Sequence, residues 1–380
     1  MSTQSPATTV PVTSKLALIA VIALVIAALS TIDKFLADAQ QRSDQRLAHR
    51  SYVAGLRLLN AGKANEAVEA FRKAHALDRG NMDYEVDLIT ALTAAGKLDR
   101  AELLTKEVLE RDPNDGRANL AAAHLMIKRG RIADAESYYH RAVYGDWPDN
   151  PAAHRVSVRM ELADFLAAHG EGQELLAELL PLQEEAGKDP ATLRHLARLF
   201  LVAGAPTRAA DEYRVLIKQN HNDGAAYAGL GRAELQSGEY QLAHEAFLAA
   251  AARTPNDPSI RRELDLASTL EGLDPTSRKL TSTEKYRRSR QILDLARSDL
   301  QRCATSHAGT NSSDAGQLLA SAGNLATSKM PATINNEMAE GVLSLAEKLW
   351  QARFKICGAS ASPDEEPLRL IVEKLARQPQ

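Results

Sequence analysis

The sequence predicts an all-α protein, and three observations predict it. Ala and Leu are abundant, aromatic residues make up only 4% of the 380, and β-branched runs are scarce outside one stretch near the N-terminus. Glycines recur at a constant interval between patterns of helical period. After residue 273, apolar side chains fall in stripes at helical spacing. A chain of this length can hold two or three domains with sizeable cores. Its net charge is −3, from 46 Lys and Arg against 49 Asp and Glu. The whole molecule therefore carries no polyanion-binding signature, and nucleic acid is not an expected partner.

The first element follows a short tail, residues 1–15. It is LALIAVIALVIAALSTI, Leu16 to Ile32, uncharged and flanked by Lys15 and by Asp33-Lys34. Its length is at the short end of what spans a bilayer, so a single transmembrane helix over residues 16–32 is expected, with lipid as its partner. A cleavable signal sequence is the alternative, because Ala37-Asp38-Ala39 has the small-x-small form that a signal peptidase needs. Lys15 alone precedes the span while Lys34, Arg42, Arg46 and Arg50 follow it, a count that places the bulk of the chain in the cytoplasm. Residues 33–47 contain neither Gly nor Pro and predict a linker helix.

The periodic region comes next. Gly62, Gly96 and Gly130 are evenly spaced (96 − 62 and 130 − 96 are both 34), and Gly170, Gly204, Gly238 and Gly272 keep the same interval. One longer step separates the two sets (170 − 130, or 40). In phase with the glycines run Ala67, Ala101, Ala135, Ala209 and Ala243, with Leu175 as the exception. Four residues further on stand Phe71, Tyr139, Tyr213 and Phe247. Such a period reads as two antiparallel helices joined at a glycine, with small residues where they touch and a ring filling the remaining gap. One hairpin cannot bury its apolar face alone, so hairpins stack. The extra six residues fall around YGDWPDNPAA, Tyr144 to Ala153, a surface insertion in which Trp147 is a candidate contact point.

These residues resemble the tetratricopeptide repeat (TPR) family over roughly Ala48 to Leu273. The resemblance implies a right-handed α-solenoid of about six TPR hairpins, with repeats starting near 48, 82, 116, 156, 190 and 224. Residues 258–273 then form a capping half-repeat whose helix stops at Gly272. It also implies a protein or peptide partner held on the concave face, which the first helix of each repeat lines. Carried onto this chain, that face holds Asp87 and Thr90, His124, Glu161 and Asp164, Arg194, His195 and Arg198, and Arg232. The paired Lys and Asn of the carboxylate-clamp subfamily are absent, since Tyr52, Leu56 and Asp87 stand in the corresponding places.

No Gly-rich phosphate loop, GxSxG, HExxH or CxxC occurs, and the ten His residues form no i, i+4 pair. Neither catalysis, a metal nor another cofactor is expected. Residues 274–380 predict a helical module. T281-S-T-E284 is a capping-box pattern opening a helix that ends near Ala304, Gln317 to Ser328 predicts a second, Asn335 to Cys357 a third and Leu368 to Arg377 a fourth. The basic cluster KYRRSR, Lys285 to Arg290, reads as a solvated helix face. Cys303 ends the first of these helices and Cys357 the third. If those helices run up, down and up, both thiols meet at one end and can form a disulfide, the alternative being two separate buried thiols. A bridge belongs in an oxidising compartment and so places the bulk of the chain outside the cytoplasm, against the positive-inside count.

Two functions are compatible with this reading. One is a non-enzymatic, membrane-tethered interaction scaffold, with room for a homo-oligomer. The other is an envelope protein whose C-terminal module binds a polymer or carries an unrecognised activity.

Overall fold

The computed structural model describes residues 12–277, 280–306, 313–358 and 365–377, with side chains from residue 24 onward except at Ser313. Among the described residues there are 17 α-helices and no β-strand beyond one isolated bridge, Asp115 with Asp146. The chain divides into two compact units between Leu162 and Ala163.

In the first unit, α1 runs unbroken over Val12–Asn60, 49 residues. The stretches expected as span, linker and first repeat helix are thus one helix, because nothing between residues 33 and 54 interrupts it. Among the described residues no helix is long and apolar enough to cross a membrane, and residues 16–23 of the expected span lie outside those whose side chains are described. From residue 24 on, Leu24, Ile26, Leu29, Ile32, Phe35 and Leu36 are exposed. The end of α1 pairs with α2 (Ala64–Leu77), followed by α3 (Met82–Ala94) with α4 (Leu98–Arg111) and α5 (Gly116–Lys128) with α6 (Ile132–Val143). Gly62, Gly96 and Gly130 turn these hairpins at φ of 71–72°, a left-handed conformation that a Cβ would strain. Asn81 and Asp115 cap the next first helices by accepting from Asp83 N (3.2 Å) and Ala118 N (2.8 Å).

Small residues explain how closely the helices approach. A Cβ on Gly55 would lie 2.7 Å from the Phe71 ring, which is fully buried with Ala67 and Ala74. The insertion is folded back on the chain that precedes it. Asp146 N donates to Asn114 O (2.7 Å), and Gly116 N donates to Asp146 O (2.9 Å). Trp147 donates to Ala142 O (2.9 Å), stacks on His154 and presses on Gly116, so it is an internal brace and not an outward contact point. Most of the extra length enters α7 (Pro151–His169), which begins five residues ahead of the repeat start expected near 156.

The second unit continues with α8 (Gly172–Glu185), α9 (Pro190–Val202), α10 (Pro206–Gln219), α11 (Gly224–Ser237), α12 (Tyr240–Arg253) and α13 (Pro258–Leu273). Gly170, Gly204 and Gly238 repeat the left-handed turn at φ of 70–78°. Gly272 does not: it lies inside α13, where no second helix follows and no turn is needed. The helices α14 (Ser282–Ser306), α15 (Ser313–Thr327), α16 (Asn336–Cys357) and α17 (Glu366–Arg377) share a core with the last hairpin. Tyr240 and Leu270 pack in one cluster with Leu293, Leu300, Leu349 and Ile371.

Polar contacts fasten this joint. The Tyr240 hydroxyl donates to Leu370 O (2.9 Å), and Lys374 donates to Gly238 O (2.7 Å) and pairs with Asp274 (2.8 Å). In the cluster KYRRSR, expected as a solvated face, Arg287 is exposed, but the other two arginines are engaged with helix ends. Arg288 caps the end of α13 through the carbonyls of Glu271 and Asp274, and Arg290 caps α15 through those of Ala326 and Ser328. Tyr286 and Ser289 are buried between them.

A disulfide joins Cys303 and Cys357 across 54 residues, with the two Cα atoms 6.2 Å apart. Closing a loop of that length removes unfolded-state entropy. Cys303→Ser is therefore expected to lower stability by about 2–4 kcal/mol. The check is a loss of hydrogen-exchange protection in α14 and α16 that added reductant does not deepen, while reductant brings the unmodified chain down to the same level.

Candidate functional site

The first helices of successive hairpins touch one another within each unit, α1 with α3, α3 with α5, and α9 with α11. The second helices pack against the first helix of the next hairpin, as α2 does on α3 and α10 on α11. The first-helix face is therefore the inner one in each unit, and it carries the charged residues singled out in the sequence.

Most of those residues are engaged with the neighbouring repeat. Asp87 accepts from the Tyr52 hydroxyl (2.7 Å), and burial holds its carboxyl above the ordinary range against that hydrogen bond. His124 hydrogen-bonds Glu161, which also accepts from the Tyr139 hydroxyl (2.9 Å). Burial acts to raise the Glu161 pKa, but these two partners bring it below its usual value. In the second unit Asp164 accepts from His195 Nε2 (2.9 Å) and Arg194 pairs with Asp223 (2.6 Å). Arg232 makes a two-pronged contact with Glu263 at 2.7 and 3.1 Å, which raises the guanidinium pKa further. Thr90 turns back to Val86 O within its own helix.

The pairs follow a register. His124, Asp164, Arg198 and Arg232 occupy equivalent places, one repeat apart each time, with the insertion lengthening the first step. Glu161 lies 37 residues after His124, six of which are the insertion, and Glu263 lies 31 after Arg232. His195 follows Asp164 by that same shorter interval (195 − 164). Each rung thus ties one repeat to the next, which stiffens the face. Arg198 departs from this pattern. It is exposed, and among the described residues its polar contact is to His195 Nδ1 (3.1 Å) and not to a carboxylate.

Sequence reasoning found both members of the His124–Glu161 and Asp164–His195 rungs, but only the first member of Arg194–Asp223 and Arg232–Glu263. Glu263, Asp223 and the hydroxyls of Tyr52 and Tyr139 were not singled out, although the repeat register was enough to find Glu263. Elsewhere, no group of three or more His, Cys, Asp or Glu among the described residues is placed to hold a metal ion.

Family models identify the repeat. Tetratricopeptide repeat models match residues 58–125 and 92–156, and a second such model matches residues 194–258. Cellulose synthase operon protein C of Pseudomonas fluorescens (strain SBW25) is 23% identical over 230 residues, covering 59% of this chain and 18% of that protein. DnaJ homolog subfamily C member 3 of Rattus norvegicus is 25% identical over 197 residues, covering 50% of this chain and 39% of that protein. The chain thus spans well under half the length of either relative. Among solved structures, YrrB, described as a TPR protein with an unusual peptide-binding site, is 16% identical. That likeness covers 51% of this chain and 97% of YrrB at a TM-score of 0.41. Residues 58–156 and 194–258 of this chain are tetratricopeptide repeats.

Proposed function

We propose that this chain is a membrane-tethered interaction scaffold that holds a protein or peptide partner on its first-helix face, with most of the chain outside the cytoplasm. One observation carries the binding half. In the second unit, the first helices present Arg198, Val202, Arg232 and Gln236 to solvent, with Val202 58% exposed, from a backbone tied by the rungs between repeats. Rigid presentation of mixed apolar and charged side chains lowers the ordering cost of binding.

The tether is supported by the uncharged stretch Leu16–Ile32 and by the exposed apolar side chains that continue along α1 to Leu36. The disulfide supports the compartment, because cytosolic thiols are kept reduced. The alternative, an active or polymer-binding C-terminal module, finds little support in that module's polar groups. Arg288 and Arg290 are occupied by helix ends, and Asp299, Arg353 and Glu365 pair with one another.

The test uses the full chain in cells. Membrane flotation should carry it to the lipid fraction, and a membrane-impermeant thiol reagent should label Cys303 and Cys357 only after reduction. A photoreactive residue in place of Gln236 should crosslink a partner, while one in place of Leu248, on the outer helix α12, should not. Recovery of the chain in the soluble fraction overturns the tether. Crosslinking from Leu248 alone overturns the groove.

A further inference from the structure

Two places in this chain share a three-point arrangement, and one of them lacks its centre. Between the third and fourth hairpins, His124 and the Tyr139 hydroxyl converge on the Glu161 carboxylate. Two hairpins later the equivalents are Arg198 and Tyr213, displaced by one common interval (198 − 124 equals 213 − 139) that is two repeat periods plus the insertion. The position equivalent to Glu161, which already lies beyond the insertion, is two plain periods later, and it is Gly229. By register, two hydrogen-bond donors therefore flank a position that supplies no acceptor. Among the described residues Arg198 meets no carboxylate and the Tyr213 hydroxyl has no acceptor.

The chain cannot supply the missing group from position 229 itself. A Cβ there would lie 2.2–2.8 Å from the Tyr213 ring, which rests directly on the α11 backbone. Arg194 and Arg232 flank the same ring, and their charges, with that of Arg198, act on its hydroxyl. Arg194 is balanced by Asp223 and Arg232 by Glu263, which leaves the charge of Arg198 uncompensated. Exposed Val202 lies one turn beyond Arg198 on α9.

We propose that the notch formed by Arg198, Tyr213 and Gly229 takes the side-chain carboxylate of an acidic peptide segment, with an aliphatic neighbour of that residue resting on Val202. The internal model for this chemistry is Glu161, which fills the same place between a cationic or imidazole donor and a tyrosine hydroxyl. A charged donor and a hydroxyl converging on one oxygen favour a carboxylate over the amide of the same shape, because hydrogen bonds to the ionised group are roughly twice as strong as neutral ones. This inference rests on the groove reading above and adds the partner's chemistry to it.

The test measures binding of decapeptide pools to the full chain in detergent. All peptides are N-acetylated and C-amidated, so that the only carboxylate is a fixed central Glu or Asp. Parallel pools carry Gln, Asn or Lys there, and the other positions are drawn from neutral residues. The acidic pools should bind about tenfold more tightly than their amide counterparts. Arg198→Gln should abolish that advantage, and Tyr213→Phe should reduce it about threefold while keeping the ring on Gly229. Both variants should melt with the unmodified chain, since Arg198 is exposed and the ring is retained. Equal binding of acidic and amide pools, or an acidic preference that survives Arg198→Gln, overturns the notch. If pools without charge preference still crosslink from Gln236, the groove reading stands alone. If no pool crosslinks from Gln236, both readings fall.

Discussion

Replacing Phe247 by alanine is expected to destabilise the last hairpin by about 3–5 kcal/mol. The ring is fully buried and lies flat on Gly231, where a Cβ would come within 2.7 Å of it. Its other neighbours are Ala243 and Ala267, with Leu235 and Leu264 at the rim. A site walled by glycine and alanine has few side chains that can swing in to fill the cavity, which puts the cost toward the upper end of the range. The reciprocal change, Gly231→Ala, overfills the same contact and should cost about 1–3 kcal/mol. Because the chain has two units, a single global midpoint mixes their transitions. Hydrogen exchange resolved at α11 to α13 is the proper measurement. A loss below about 1 kcal/mol for Phe247→Ala would show that the ring does not hold the hairpin together.

The ring and its glycine show why so much of this fold is legible in sequence. The helix–helix contact is made by side chains of one size class at a fixed offset, so the constant spacing exposes the hairpin, its turn and its core at once. Gly238 and its equivalents are recognisable for the same reason: the left-handed turn excludes nearly every other residue. Gly272 shares the spacing without the role, since spacing alone does not say whether a second helix follows. What remained hidden involves partners far along the chain. Arg288 and Arg290 look like surface charge until the carbonyls they cap, 14 and 36 residues away, come alongside. The groove charges have the same character. Asp164 and Arg232 could be named from the register, but only the structure shows that Asp164 already accepts from His195 and that Arg232 is already paired with Glu263. A missing carboxylate at Gly229 has meaning only after the filled rungs are known.

Arg353→Met should destabilise the C-terminal helices by about 3–5 kcal/mol at neutral pH, and by less under mild acid. Arg353 is buried. Its Nε lies 3.1 Å from Asp299, its Nη2 donates to Glu365 (2.8 Å), and its Nη1 donates to the Gly358 carbonyl. Burial, followed by the nearby Glu365, pushes the Asp299 carboxyl up to about 6, against the opposing charges of Arg353 and Arg302. A carboxyl whose folded pKa is raised holds its proton longer in the folded chain than in the unfolded one. Its stabilising effect is complete below the ordinary carboxylate value near pH 4 and is lost as pH rises to about 6. Removing the guanidinium leaves two carboxyls facing each other in a buried site, which is worst when both are ionised. The expected result is a large loss at pH 7.5 that shrinks at pH 5, measured by denaturant unfolding with the disulfide intact. Glu365→Gln in the same chain should recover part of the loss at pH 7.5, because it removes one of two carboxylate charges that would then share Arg302. An equal loss at both pH values would mean that Arg353 acts through packing against Trp350 and not through its charge. The consequence reaches the repeats. Arg353 ties the end of α16 to the start of α17, and α17 carries Lys374, whose contact with the Gly238 carbonyl closes the last TPR turn. Protection of that turn from hydrogen exchange should therefore fall together with the stability of the module.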